Sequence, residues 1–294
     1  LLKRVKDWAR AAKVHGRSQA MRALIEKSIS ADAAAQLGDP KLADAIEYAQ
    51  RLLDVSIAVV AAVRIEPNQQ GARDPRIIAL TLLCRSISNF RAAVRLLQQE
   101  QKVEARVLVR LLYENLLWLG SLRERDADFV QDMIAEEQHN QKALAQLTLE
   151  LRGKHGLEAT SADAVQLREI VKRLDKVSKG KKLRVAKIAS EGVVGSAYIE
   201  YQRFSLDSSH CSVTALGRHL SREKLSPNMD QLTVSVVPNS SHKEVLDTIF
   251  HACNALIGVA VGANEIVGFT SASETLGSLF DELMRKFPDL RYFE

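Results

Sequence analysis

The sequence predicts an all-α, multi-helix bundle with at most one short strand or extended arm. Three observations carry this. Over 294 residues there are only 14 glycines and 6 prolines, and aromatic residues make up 5%, the profile of a mainly helical chain long enough to bury a sizeable core. Apolar residues recur at three- and four-residue intervals along most of the chain. One stretch, Val103–Leu122, is apolar on every side, and a helix of that kind belongs inside a protein, walled in by others.

Residues 1–15 read as a short amphipathic helix, with Leu1, Leu2, Val5 and Trp8 on one side and Lys3, Arg4, Lys6, Arg10 and Lys13 on the other. Such a helix either meets a membrane surface or nucleic acid, or presents a solvated outer face. Gly16 ends it and Ser18 caps a second helix to Leu37, which Gly38-Asp39-Pro40 stops. A long helix follows from Lys41 to Arg64. The loop Glu66–Gly71 then divides an N-terminal helical arm, 1–66, from a main bundle, 74–294.

Asp74-Pro75 opens the next helix, a capping residue before a proline, and it runs to Gln99. Only a four-residue polar turn separates it from Val103–Leu122, so the two form a hairpin. Residues 127–152 give a third core helix through Phe129, Val130, Met133, Ile134, Leu144, Leu147 and Leu151. A polar helix spans 161–178, and the Lys/Arg-rich run 168–187 suits either phosphate contact or a solvated surface. Another helix covers Val194–Ser208, and Leu232–Val237 alternates like one strand or extended arm. Pro238-Asn239-Ser240-Ser241 caps the last long helix, to Val267, in which Gly258 and Gly262 permit close packing. Ser273–Lys286 closes the bundle.

The formal net charge of +5 is compatible with an acidic partner without specifying one. Cys84, Cys211 and Cys253 are widely separated and lack CxxC spacing, which points to a reduced, cytoplasmic protein rather than a disulfide or zinc scaffold. No apolar run reads as a membrane span. The chain opens on Leu1, not methionine, which leaves any leader open.

Chemistry concentrates in two places. Arg106, Arg110 and Glu114 stack four residues apart along the otherwise apolar Val103–Leu122 helix, and a buried charge is tolerated only when paired. Downstream, Tyr201 and Ser205 share a helical face, and His210 follows where serines loosen the helix. Three proton donors or acceptors are thus gathered within ten residues, histidine being the one most readily tuned near neutral pH. Equally, His210 can cap a helix end with Tyr201 half-buried.

The pattern Ala105-x-x-Leu108-x-Arg110-x-x-x-Glu114, followed by Tyr201-x-x-x-Ser205-x-x-x-x-His210, resembles a widespread bacterial helical family of unknown function. Members of that family turn up near mobile elements and phage-defence genes, and the similarity covers roughly residues 75–265. The resemblance implies that Arg110, Glu114, Tyr201, Ser205 and His210 converge on one polar pocket, with Arg110 and Glu114 in support. A thinner similarity links Arg203 and His210, six residues between them, to the Arg-x(4–6)-His signature of HEPN-type ribonucleases, although Phe204 stands where a polar residue is common. That similarity implies a homo-oligomer, RNA as partner, and metal-independent cleavage in which arginine stabilises phosphorane-like charge while histidine moves the 2′-hydroxyl proton.

Glu136-x-x-His139 with Asp247-x-x-x-His251 only crudely matches a di-iron bundle, so no metal is expected. With no P-loop, Rossmann glycine pattern, nucleophile elbow or zinc motif, no cofactor is expected either. The two resemblances together imply a phage-defence or toxin-like effector, with RNA cleavage by Arg203 and His210, aided by Tyr201 and Ser205. The alternative is a non-enzymatic interaction or regulatory module whose buried polar cluster is structural.

Overall fold

A computed structural model describes residues 40–66, 68–157, 161–177, 182–226 and 229–286. The helices expected over 1–15 and 18–37, and Gly180 in the basic run, lie outside the described residues. The all-α class holds: α1 (Pro40–Ala62), α2 (Pro75–Gln98), α3 (Lys102–Lys154), α4 (Ala162–Val177), α5 (Val185–Glu191), α6 (Ala197–Phe204), α7 (Val213–Gly217), α8 (His242–Ile266) and α9 (Ser273–Lys286).

Asp74 caps α2 as its sequence predicts, its carboxylate accepting from Arg76 N at 2.8 Å ahead of Pro75. The Arg76 hydrogen bond outweighs partial burial and holds the Asp74 carboxyl at about 2. Gln99–Gln101 then reverse the chain, and Asn115 donates to Ser86 Oγ at 2.9 Å, which sets α2 and α3 antiparallel. α8 starts at a capping box: Ser241 N donates to Glu244 Oε2 at 2.8 Å while Glu244 N donates to Ser241 Oγ at 3.2 Å.

α8 runs alongside α3 in the same direction, because its contacts rise together: Arg106 with Thr248, Tyr113 with His251, Arg123 with Glu265. The two glycines of α8 make this approach possible. A Cβ on Gly258 would come within 2.9 Å of Leu116 Cδ1, and one on Gly262 within 2.9 Å of Leu119 Cδ2. α2, α3 and α8 form the centre of a core that α1, α5, α6 and α9 join, with Tyr48, Leu83, Phe90, Leu112, Phe204 and Ile249 buried in it. α1 is fastened at its far side by Tyr48 OH, which donates to Leu279 O of α9 at 2.7 Å.

Three features depart from the sequence reading. The helices expected at 103–122 and 127–152 are halves of one 53-residue element, α3, interrupted where Asp126 takes φ 48°, ψ −125°. Leu144, Leu147 and Leu151, read as core, are 65%, 51% and 45% exposed, because among the described residues it is α4 alone that lies along this distal part of α3, held by Lys142–Asp175 at 2.5 Å. The single expected strand is one half of an antiparallel hairpin, β1 (Leu220–Ser226) with β2 (Met229–Val234), Leu220 opposite Val234 and Arg222 opposite Leu232. β1, LSREKLS, lacks the β-branched alternation that marks strands and so carries no signal of its own.

Two helices, Pro75–Gln98 and Lys243–Ile266, are long and apolar enough to cross a bilayer by length and composition, contrary to expectation. The buried residues of both build the bundle core, and 72% of the apolar window in Lys243–Ile266 is buried within it.

Candidate functional site

Two polar clusters sit where α3 meets α6 and α8. The outer one assembles around Arg110. Arg110 Nη1 donates to Glu114 Oε2 at 2.7 Å, Nε donates to Ser205 Oγ at 3.2 Å, and Nη2 donates to Tyr201 OH. The guanidinium also lies over the Tyr201 ring, 4.5 Å from its centroid, a cation–π contact. Tyr198 also stacks on Tyr201, centroids 5.7 Å apart, and Ser205 Oγ closes the set by donating to Tyr201 O at 2.7 Å.

Ser205 reaches this position through a local change of helix type. After Phe204 the backbone widens into one π-helical turn, Ser205–Ser209. Such turns rotate successive side chains off the α-helical register and are frequent at functional sites. Here Ser205 faces Arg110 while Asp207, two residues on, faces the other cluster. His210 ends the turn: its N–H donates to Ser205 O at 3.1 Å, its side chain is exposed, and its ring pairs with no described residue. The structure thus brings Arg110, Glu114, Tyr201 and Ser205 together and leaves His210 outside their hydrogen-bonded set.

The inner cluster is buried. Arg106, only 4% exposed, donates through Nε to Asp207 Oδ2 and through Nη1 to Thr248 Oγ1 at 3.0 Å and Asp247 Oδ2 at 3.4 Å. Its guanidinium covers the Phe204 ring at 4.6 Å. Asp207 is shared: Arg218 Nε donates to its Oδ1 at 2.9 Å, and Arg218 Nη2 also reaches Glu244 Oε1 at 2.7 Å. Arg203 belongs to this cluster and not to the Tyr201–Ser205 face, pairing with Glu200 Oε2 at 2.7 Å and Asp247 Oδ2 at 3.2 Å.

Asp247 joins these groups to His251, whose Nε2 lies 3.4 Å from Asp247 Oδ1 and whose Nδ1 shares a 2.7 Å hydrogen bond with Tyr113 OH. Burial pushes the Asp247 carboxyl upward. The hydrogen bond and charge of His251, then the charges of Arg203 and Arg106, more than reverse this and hold it at about 2. Burial drives the Tyr113 phenol well above its ordinary value. A carboxylate ionised at neutral pH beside a histidine that contacts a phenol is an arrangement able to hold or relay a proton.

The side of this cluster away from Arg106 opens onto a cavity of about 850 Å³ bounded by α3, α8, α9 and the loop from α5 to α6. Tyr113, Glu200, His251 and Asn254 form its polar end, while Leu116, Ile257, Val261 and Phe280 supply apolar wall.

Sequence reasoning missed Tyr113, Glu200, Asp207, Arg218, Asp247 and His251 as one network. The available signals were Glu200-x-x-Arg203 and Asp247-x-x-x-His251, each placing opposite charges on one helix face. In the sequence the second pair reads only as a crude metal half-site, and among the described residues no group of three or more His, Cys, Asp or Glu is placed to hold a metal ion.

Residues 76–227 match the model of a family of unknown function, DUF5677, over more than half of the 294-residue chain. Comparison with curated proteins and with solved structures finds no match. The matched region contains Arg110, Glu114, Tyr201, Ser205 and His210, whereas Asp247 and His251 follow it. This chain belongs to the DUF5677 family of unknown function.

Proposed function

We propose that the chain is a non-enzymatic interaction or regulatory module, in which the paired charges fix α6 and the π-turn against α3 and α8. The observation that carries this reading is the commitment of Arg203. Its guanidinium pairs with Glu200 at 2.7 Å and with Asp247 at 3.2 Å, while His210, its partner in the ribonuclease signature, is exposed and belongs to neither cluster. An arginine already balanced by two carboxylates has little field left for the charge that develops on a phosphorane. A bacterial setting in phage defence comes to this proposal from the family resemblance alone, self-association from the thinner ribonuclease-like similarity, and a cytoplasmic location from the widely separated cysteines.

Metal-independent RNA cleavage by Arg203 and His210 is the competing reading, and one assay separates the two. Purified protein is incubated with labelled RNA in chelator, beside Arg203→Ala and His210→Ala. No cleavage above background by any of the three is expected. Cleavage by the wild type that both variants lose would overturn the regulatory reading in favour of a nuclease. As a check on the packing role, Glu114→Gln is expected to lower stability by about 1 kcal/mol, a few degrees in melting temperature. An unchanged melt would remove the outer cluster from that role.

A further inference from the structure

The cavity beside the inner cluster has the size and construction of a ligand site. At about 850 Å³ it falls within the range of small-molecule pockets, which are mostly apolar with a few convergent polar groups. Its walls are fixed by close helix packing at Gly258 and Gly262, where the Leu116 and Leu119 side chains fill the space a Cβ would need. Its polar end carries a carboxylate that the fold leaves incompletely served. Glu200 is 6% exposed; its Oε2 lies 2.7 Å from Arg203 Nε and 3.7 Å from His251 Nδ1, contacts of charge rather than aligned hydrogen bonds among the described residues. The carboxylate is thus held by charge rather than by aligned hydrogen bonds, and it keeps acceptor capacity for a donor entering from the cavity.

The charges around the cavity select the kind of ligand. Arg203 at 2.7 Å offsets the Glu200 charge from behind, so a cation gains little by approaching it. Glu265, the second carboxylate of the lining, is likewise balanced by Arg123 at 2.5 Å, which lines the cavity beside it, so neither carboxylate offers an unbalanced charge to a ligand of either sign. We infer that this cavity binds an uncharged small molecule with an apolar, ring-sized body and an N–H or O–H donor directed at Glu200. Phe280 and Val261 contact the body, and Asn254 and His251 flank the donor end. The site stands independently of the regulatory reading, since neither presence nor absence of RNA cleavage bears on it.

Indole and its isostere benzofuran, which lacks the N–H, test both halves of the inference by calorimetric titration of the full chain. Indole is expected to bind about tenfold more tightly than benzofuran, the usual margin for a hydrogen bond to a charged acceptor. Glu200→Gln should shrink that margin. Gly277→Phe is the blocking variant: Gly277 lines the cavity with open space around its Cβ position, and replacing a helical glycine favours the fold. It should reduce the affinity for both probes at least about tenfold with no loss of melting temperature. Absence of indole binding, equal affinity for the two probes, or wild-type affinity in Gly277→Phe would each overturn the site. Sedimentation that shows Gly277→Phe dissociating an oligomer would assign the cavity to a second copy of the chain and overturn it as well.

Discussion

Asp207 holds the two halves of the inner network together, accepting from Arg106 on one oxygen and from Arg218 at 2.9 Å on the other. Its neighbour in that network, Asp247, makes a pH-dependent contribution whose sign follows from its environment. The carboxyl sits at about 2 in the folded protein against 3.8 for a free aspartate. Its stabilisation is therefore complete above about pH 4 and is lost as pH falls toward 2, an effect of about 2 kcal/mol. Urea titrations across that window should show the wild type losing stability on this scale and Asp247→Asn, weaker throughout, losing less. Part of the site was readable in the chain: Arg106, Arg110 and Glu114 had to be paired because they interrupt an apolar helix. Tyr201 and Ser205 became partners of Arg110 through the family pattern. The local pairs Glu200–Arg203 and Asp247–His251 are visible as helix-face spacings, but their joining with Asp207 and Arg218 into one network was not readable, because it depends on which elements meet; Arg106 and Thr248 lie 142 positions apart.

At the level of elements, two glycines of similar appearance in the sequence carry opposite expectations. A Cβ on Gly195, in the loop entering α6, would lie 2.5 Å from Ala189 O and 3.3 Å from Gly192 O, both fixed backbone atoms. One on Gly262 meets only the end of the Leu119 side chain, which can turn aside. Gly195→Ala should thus destabilise by about 1–3 kcal/mol, as overpacking does. Gly262→Ala should stay within about 1 kcal/mol of wild type, since the gain in helix propensity offsets the repacking. Denaturant midpoints of the two variants decide this. Helix positions were legible from periodicity and caps, Asp74-Pro75 and Ser241–Glu244 above all. The π-turn and the hairpin were not: the first replaces one hydrogen-bond register with another at no cost in composition, and the second begins with a strand of charged and small residues.

For the molecule as a whole, α1 is bound into the same core as the later helices. Tyr48, fully buried, donates to Leu279 O, and Arg51 reaches Glu282 with two hydrogen bonds, of 3.0 and 2.5 Å. Tyr48→Phe should cost about 1 kcal/mol and leave unfolding a single transition by both circular dichroism and tryptophan fluorescence. A separate early transition would mean that α1 unfolds independently. The break at Asp126 has its own consequence for the molecule's mechanics. Residues 127–154 continue as about 42 Å of helix beyond it, supported along their distal part by α4. The break is an elbow and the helix beyond it a forearm. Phe129 and Val130 tie the first turn beyond the elbow into the core, so the bend set at Asp126 fixes where the exposed tip, with Leu144, Leu147 and Leu151 near it, is carried.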